Sequence, residues 1–248
     1  MMLRRIWIFL VLMVAVATPA RSEAVLRIGT DGDYPPFSYV DESGKLVGFD
    51  IDISEALCAA LQRKCVIERI GWTGLIPGLL DNRFDAIVAS MSITEERKKL
   101  VAFTNRYYHT PMQFVAHGGA AGSPPLAVTR GMRAAAEKET TAHYYLRDHY
   151  SGILDVRIFP SQGEAEQALL TGVVDLMLAD SLVIWSVTKA HPEYETIGPA
   201  INVDEGIGIA LRPGDTALLN QFNQAIARIR LDGTYGHINA KYFPFSIY

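Results

Sequence analysis

The chain has 248 residues, with 23 Lys and Arg against 27 Asp and Glu and a formal charge of −4 at pH 7. A balance this acidic offers no basic face for nucleic acid or for an anionic membrane surface. The six histidines are scattered, and neither C-x2-C nor H-x3-H spacing occurs, so no metal site is expected and no cofactor is called for.

Met1 to Arg5 is a basic start, and Ile6 to Ala17 is an unbroken apolar run. The run falls short of the roughly 20 residues that span a bilayer. Small residues follow at Thr18 to Ala20 and Ser22 to Ala24. The pattern is that of an export signal, residues 1–24, cleaved between Arg21 and Val25. No cysteine stands at the cleavage point to carry a lipid. Starting at Val25 removes three arginines and one glutamate, so the charge moves from −4 to −6 (−4 − 3 + 1). The remainder, about 225 residues, is enough for one large core or two small ones. With no second long apolar run, the mature chain is expected to be soluble.

The elements that follow alternate short apolar runs with amphipathic helices, an α/β signature. Val25 to Gly29 reads as a strand, Asp31 to Phe37 as a proline- and glycine-broken loop, and Leu46 to Phe49 as a short strand. Ile53, Leu57 and Leu61 repeat at helical spacing with Ala56 and Ala60 beside them. Cys65 to Ile70 is a strand with Trp72 in its exit loop, and Ile76 to Leu80 is a short helix. Cys58 and Cys65 sit in an exported chain, and one disulfide is their simplest reading.

The stretch from Phe84 to Arg97 carries the most chemistry. A strand over Arg83 to Ala89 runs into Ser90 and Ser92. Ser92 and Glu95 stand at capping-box spacing, which predicts a helix start. A helix start has unpaired N–H groups, and Arg97 places a cation where the helix dipole disfavours one. Together they suit a bound carboxylate.

Beyond it, Leu126 to Ala136 is expected to hold a strand near its start. Thr140 to Asp148 is a helix capped by Thr140 or Thr141. Val156 to Phe159 is a strand, and Ser161 to Thr171 is an amphipathic helix. Val173 to Ala179 is an apolar strand that ends at Asp180, and Gly206 to Leu211 is a strand. Ala217 to Asp232 is the last long helix, stopped by Gly233 to Tyr235. The chain is expected to cross between two lobes near His109 to Gln113 and near Ile197 to Asp204.

Taken in order, Arg27-Ile-Gly-Thr-Asp31, Tyr34-x-Pro-Phe37, Gly48-Phe-Asp-Ile-Asp52, Leu75-Ile-Pro77, Asp85-Ala-Ile, Ser92-Ile-Thr94 with Arg97, and Asp232-Gly-Thr-Tyr235 with Lys241-Tyr-Phe243 carry a resemblance. The chain resembles the periplasmic polar amino-acid-binding proteins of ABC importers, solute-binding family 3, of the lysine/arginine/ornithine and histidine type. The resemblance spans nearly the whole mature chain, and the cysteine pair matches a disulfide of that subgroup.

It implies an α/β fold of two lobes, each a mixed sheet flanked by helices and joined by two crossover segments. The lobes would be residues 25–109 with 204–248, and 110–203. It also implies a periplasmic monomer that closes on an amino acid and docks on an inner-membrane ABC permease, without catalysis.

The site residues follow from the resemblance as well. Arg97 would clamp the α-carboxylate, helped by Ser92 and, from the other lobe, by the backbone of Thr141. Asp180 would accept from the α-ammonium, the backbone at Ser90 would add donors or acceptors, and Ala89 keeps its backbone carbonyl. Tyr34 and Trp72 would sandwich the side chain, and Asp31 would meet a cationic tip.

The sequence departs from the family in three places. Alanine stands at Ala89, where serine is frequent. Lys138 to Ala142 lacks the family's glycine and its final glutamine. Glu137 stands where subgroup members carry leucine or lysine, and is expected to add a second negative charge at the side-chain end. Asp31 and Glu137 together favour arginine, lysine, ornithine, histidine or an arginine-derived opine, for which the alanines leave room.

A competing reading is a cyclohexadienyl or arogenate dehydratase, which shares the fold and the string Gly32 to Tyr39, with Glu137 or His143 as the acid. A sensor ectodomain is a third. No G-x-S-x-G elbow supports a hydrolase.

Overall fold

The computed structural model describes residues 25–119 and 127–248. The expected export signal lies outside them, as does Leu126. Two five-stranded mixed sheets organise the chain.

The first sheet is built on β1 (Leu26–Thr30), flanked in parallel by β5 (Cys65–Arg69) and β6 (Ala86–Ile87). Beyond β6 lie β13 (Ala210–Leu211) and β7 (Ala102–Phe103), both joined antiparallel. The second sheet is built on β9 (Arg133–Glu137), parallel to β10 (Asp155–Phe159) and β11 (Leu176–Asp180). Next to β11 come β8 (Met112–His117) and β12 (Tyr194–Ile201), again antiparallel. The chain passes from the first sheet to the second between β7 and β8, and returns between β12 and β13, so two crossings join two lobes. A small antiparallel sheet of β2 (Asp33–Tyr34), β3 (Ser38–Val40) and β4 (Leu46–Val47) sits on the first lobe.

The helices bury the stripes their spacing predicts. In α1 (Phe49–Ala60), Phe49, Ile53 and Leu57 are fully buried, and Asp50 and Asp52 favour the positive end of the helix. In α7 (Thr216–Leu231), Phe222, Ile226 and Ile229 face the same core. Burying each such side chain contributes about 1.5–3 kcal/mol. Gly48 precedes α1 at φ 129°, where a Cβ would come within 2.2 Å of the Phe37 carbonyl oxygen, so only glycine fits.

The two lobes repeat one device. Arg27 on β1 receives Asp85 from the loop before β6, through its backbone N–H at 3.0 Å and its guanidinium at 2.9 Å. Arg133 on β9 receives Asp175 from the loop before β11, with a backbone bond of 2.8 Å. Each pair locks the register of two parallel strands that the chain itself does not connect directly.

Several expectations need correction. The strand over Arg83 to Ala89 shrinks to β6, because only Ala86 and Ile87 pair and Ser90 turns at φ 51°. The strand over Gly206 to Leu211 shrinks to β13, with Ile207 making single bridges to Ser92 and Tyr108. The strand expected near the start of Leu126 to Ala136 lies at its end, as β9. The loop Asp31 to Phe37 contains β2, and Phe49 opens a helix instead of closing a strand.

Ser92 is not the N-cap of α3 (Glu95–Lys98). Thr94 is, accepting the Arg97 N–H at 3.3 Å, so Arg97 lies in the last part of a four-residue helix and meets no adverse dipole. Two helices were not expected: α6 (Ser181–Ala190), and α8 (Thr234–Tyr242), which begins where α7 is stopped.

Cys58 on α1 and Cys65 on β5 form a disulfide across 7 residues of sequence. It closes a short loop, so its chain-entropy contribution is about 2–3 kcal/mol. The variant with both cysteines changed to alanine is expected to lose that much in urea unfolding at an unchanged m-value.

Candidate functional site

The parallel strands of both sheets end on the same side, where doubly wound sheets collect their ligand-binding loops. From the first lobe come Asp31 after β1, Tyr34 on β2, and Trp72 in the 3-10 turn Trp72–Gly74. Ala89, Ser90 and Ser92 follow β6, and Arg97 lies on α3. From the second come Glu137 at the end of β9 and Thr141 at the start of α4 (Thr141–Tyr150). Asp180 closes β11. These residues line one cavity. Thr140, Ala142, Gln162 and Ala179 also line it; Gln162 begins α5 (Gln162–Leu170). Neither Thr140 nor Gln162 was expected there, since each is drawn in by folding of the second lobe and carries no motif of its own.

Arg97 is oriented before any ligand arrives. Its guanidinium donates to the Ser92 carbonyl at 3.0 Å and more weakly, at 3.5 Å, to the Glu139 carbonyl of the other lobe. It stacks 5.0 Å from the Trp72 ring, whose Nε1 donates to the same Glu139 carbonyl at 3.1 Å. Burial pulls Arg97 down to about 10, with Asp180 and Asp204 opposing the fall.

Asp180 holds the N-cap position of α6 without capping it. Its carboxylate instead accepts the Tyr34 hydroxyl at 2.6 Å, across the lobe boundary. Thr140 caps α4, accepting the His143 N–H at 3.2 Å and donating to the Glu137 carbonyl at 2.8 Å. This fixes the backbone at the end of β9 and sets Thr141 and Ala142, at the start of the helix, in the cavity wall. Ser90 sits at φ 51°, costly for a residue with a side chain. Its hydroxyl donates to the fully buried Asp50 at 2.8 Å, and Tyr107 donates to the other oxygen at 2.7 Å.

Three lining side chains are acids and one is a base. Burial pushes Asp31 up to about 6 and Asp180 to about 7. Burial, and then the charges of Asp31, Asp33 and Asp180, push Glu137 to about 9. No group of three or more described His, Cys, Asp or Glu side chains is arranged to hold a metal ion. The cavity therefore suits an organic guest with one negative pole and more than one positive group.

The family of bacterial extracellular solute-binding proteins, family 3, matches residues 26–245. An L-arginine-binding protein of Pseudomonas aeruginosa is 40% identical over 232 residues, covering 90% of this chain and 89% of that protein. The lysine/arginine/ornithine-binding periplasmic protein of Escherichia coli is 32% identical over 249 residues, covering 96% of each. Among solved structures, an ancestral arginine-binding protein bound to arginine superposes with a TM-score of 0.82 at 32% identity, covering 90% of this chain and 99% of that one.

The Glu137 carboxyl titrates near 4.3 in an unfolded chain and near 9 in the fold. The folded state thus holds this proton more tightly. The stability linked to it is whole below pH about 4 and is lost as pH rises towards 9. Glu137→Gln cannot ionise, so its melting temperature is expected to climb relative to the parent between pH 5 and pH 9. Thermal unfolding of the two proteins across that window measures the effect, and a constant offset would count against it.

Proposed function

The chain belongs to the bacterial extracellular solute-binding proteins, family 3, and we propose that it is the extracytoplasmic component of an ABC importer that captures a cationic amino acid, or an arginine-derived opine, between its lobes. The observation that carries this reading is the convergence of one guanidinium and three carboxylates on a single cavity walled by both lobes.

The roles follow from charge and placement. Arg97 takes the α-carboxylate with a planar fork, aided by Ser92 and by the free N–H groups at Thr141. Asp180 takes the α-ammonium with the carbonyls around Ala89 and Ser90. Tyr34 and Trp72 cover the aliphatic stem. Asp31 and Glu137 face the cationic tip. A buried zwitterion with either pole unmatched would cost several kcal/mol, and this wall matches both.

The lobes are residues 25–109 with 204–248, and 110–203. Ligand touching both favours the closed arrangement by its differential affinity, and the closed form docks, as a monomer in the periplasm, on a membrane permease. The relatives of known binding role favour this over dehydratase chemistry, and of the two candidate acids only Glu137 lines the cavity. His143, one candidate acid, is absent from the cavity wall and accepts the Glu139 N–H at 3.0 Å.

Removing one partner of a buried ion pair costs about 3–5 kcal/mol. Arg97→Ala is therefore expected to weaken every amino-acid ligand by more than about a hundredfold. Asp31→Asn is expected to weaken arginine and lysine by about tenfold or more, with little change for glutamine. Calorimetric titration of the three ligands decides, and equal losses for arginine and glutamine would remove Asp31 from the tip.

A further inference from the structure

Glu137 is 2% exposed, and its Oε1 receives no hydrogen bond from any described residue. Its surroundings supply no counter-charge. The charged groups that act on it are Asp31 from the loop after β1, Asp33 from β2 and Asp180 from β11, all acids. Arg69 acts on Asp31, and Arg97 acts on Asp180. From α5, Gln162 reaches the cavity, but its amide donates to the Met177 sulfur at 3.3 Å. From α4, the neighbours are the uncharged Thr140, Thr141 and Ala142.

A buried carboxyl so placed keeps its proton until a cation arrives, and no described residue provides that cation.

We propose that Glu137 sets the ligand choice of this site: with Asp31 it forms a two-carboxylate seat for a guanidinium-bearing amino acid, and it gives up its own proton as the ligand binds. This rests on the solute-binding reading above. The proton passes from the Glu137 carboxyl to the buffer, and the guanidinium keeps all of its own. A guanidinium is suited to the seat because its planar fork carries five donors and can face two carboxylates at once, whereas an ammonium offers three on a compact head. Asp180 meets the α-ammonium of any amino acid, so protons it releases are common to all ligands. Those released by Glu137 appear only with a cationic tip.

The test is calorimetric titration of the wild-type protein with arginine and with citrulline, its neutral isostere, at pH 7 in buffers of different ionisation enthalpy. Arginine is expected to release about one proton more than citrulline. Its affinity is then expected to rise up to about tenfold per pH unit between pH 7 and 8.5, more steeply than that of citrulline. In Glu137→Gln the extra proton and the extra slope should vanish, and the preference for arginine over citrulline should fall by about tenfold or more. If arginine binds the wild-type protein with the same proton count as citrulline, the proposal is overturned while the solute-binding reading stands, whether or not the variant folds. If no amino acid or opine binds at all, both fall.

Discussion

A charge taken out of water must meet its opposite or surrender its proton, and this molecule applies that rule differently in its scaffold and in its cavity. Two scaffold acids, Asp175 and Asp85, have their cations built in. Asp175 is held below the usual carboxylate range by Arg133. Asp85, though partly buried, is held below it by Arg27 and Arg212. Each such pair joins neighbouring strands of a sheet. In the cavity the chain supplies one guanidinium against three carboxylates, and the acids there are pushed up. The imbalance is local, because 23 basic side chains were available to correct it. What the scaffold neutralises internally, the cavity leaves for a guest to neutralise, and net charge does not reveal the difference.

The same economy explains why a strained residue survives at Ser90. Its left-handed backbone would relax if nothing held it. Asp50 holds it through a hydrogen bond of 2.8 Å, and Tyr107 in turn holds Asp50 at 2.7 Å, both side chains being fully enclosed. Asp50 lies in the first turn of α1, where the helix end favours its charge, although burial raises it to about 6. The sharp turn ends β6 after two paired residues and sends the backbone along the cavity wall towards Ser92 and Arg97. A longer β6 would have carried these groups past the cavity.

Sequence patterns disclosed the elements whose apolar faces are periodic. The stripes of α1 and α7 fall where the spacing puts them, and β11 takes the later part of the run expected from Val173 and includes Asp180. The helix α6 escaped because Leu182, Val183, Ile184 and Val187 are buried on more than one side. Leu182 and Val183 join the core of the first lobe, while Ile184 and Val187 join that of the second, so no single polar stripe marks the helix. The helix α8 escaped because Gly233, at φ 86°, both ends α7 and caps its successor. Ser92 and Thr94 each precede an acid by a few residues, and local spacing could not tell which one caps α3. At the cavity, charged and aromatic residues were legible through ordered motifs. Thr140 and Gln162 were not, because their presence depends on how the second lobe's helices are aimed.

Closure itself depends on small, specific contacts at the seam. Tyr34 reaches Asp180, Trp72 reaches the Glu139 carbonyl, and Asp33 lies so near the first turn of α5 that a Cβ on Gly163 would stand 2.8 Å from its carboxylate. Each of these approaches joins one lobe to the other, and a hydrogen bond of this kind contributes only about 1–3 kcal/mol net. Elsewhere Trp185 of α6 packs at 5.6 Å from Phe243 and 5.4 Å from Phe245, so the lobes also share an apolar contact. The polar contacts are weak enough to be decided by a guest. On the proposed reading, a ligand whose ammonium replaces the Tyr34 hydroxyl on Asp180 would exchange a neutral donor for a charged one, so the same few carboxylates would serve both selectivity and closure.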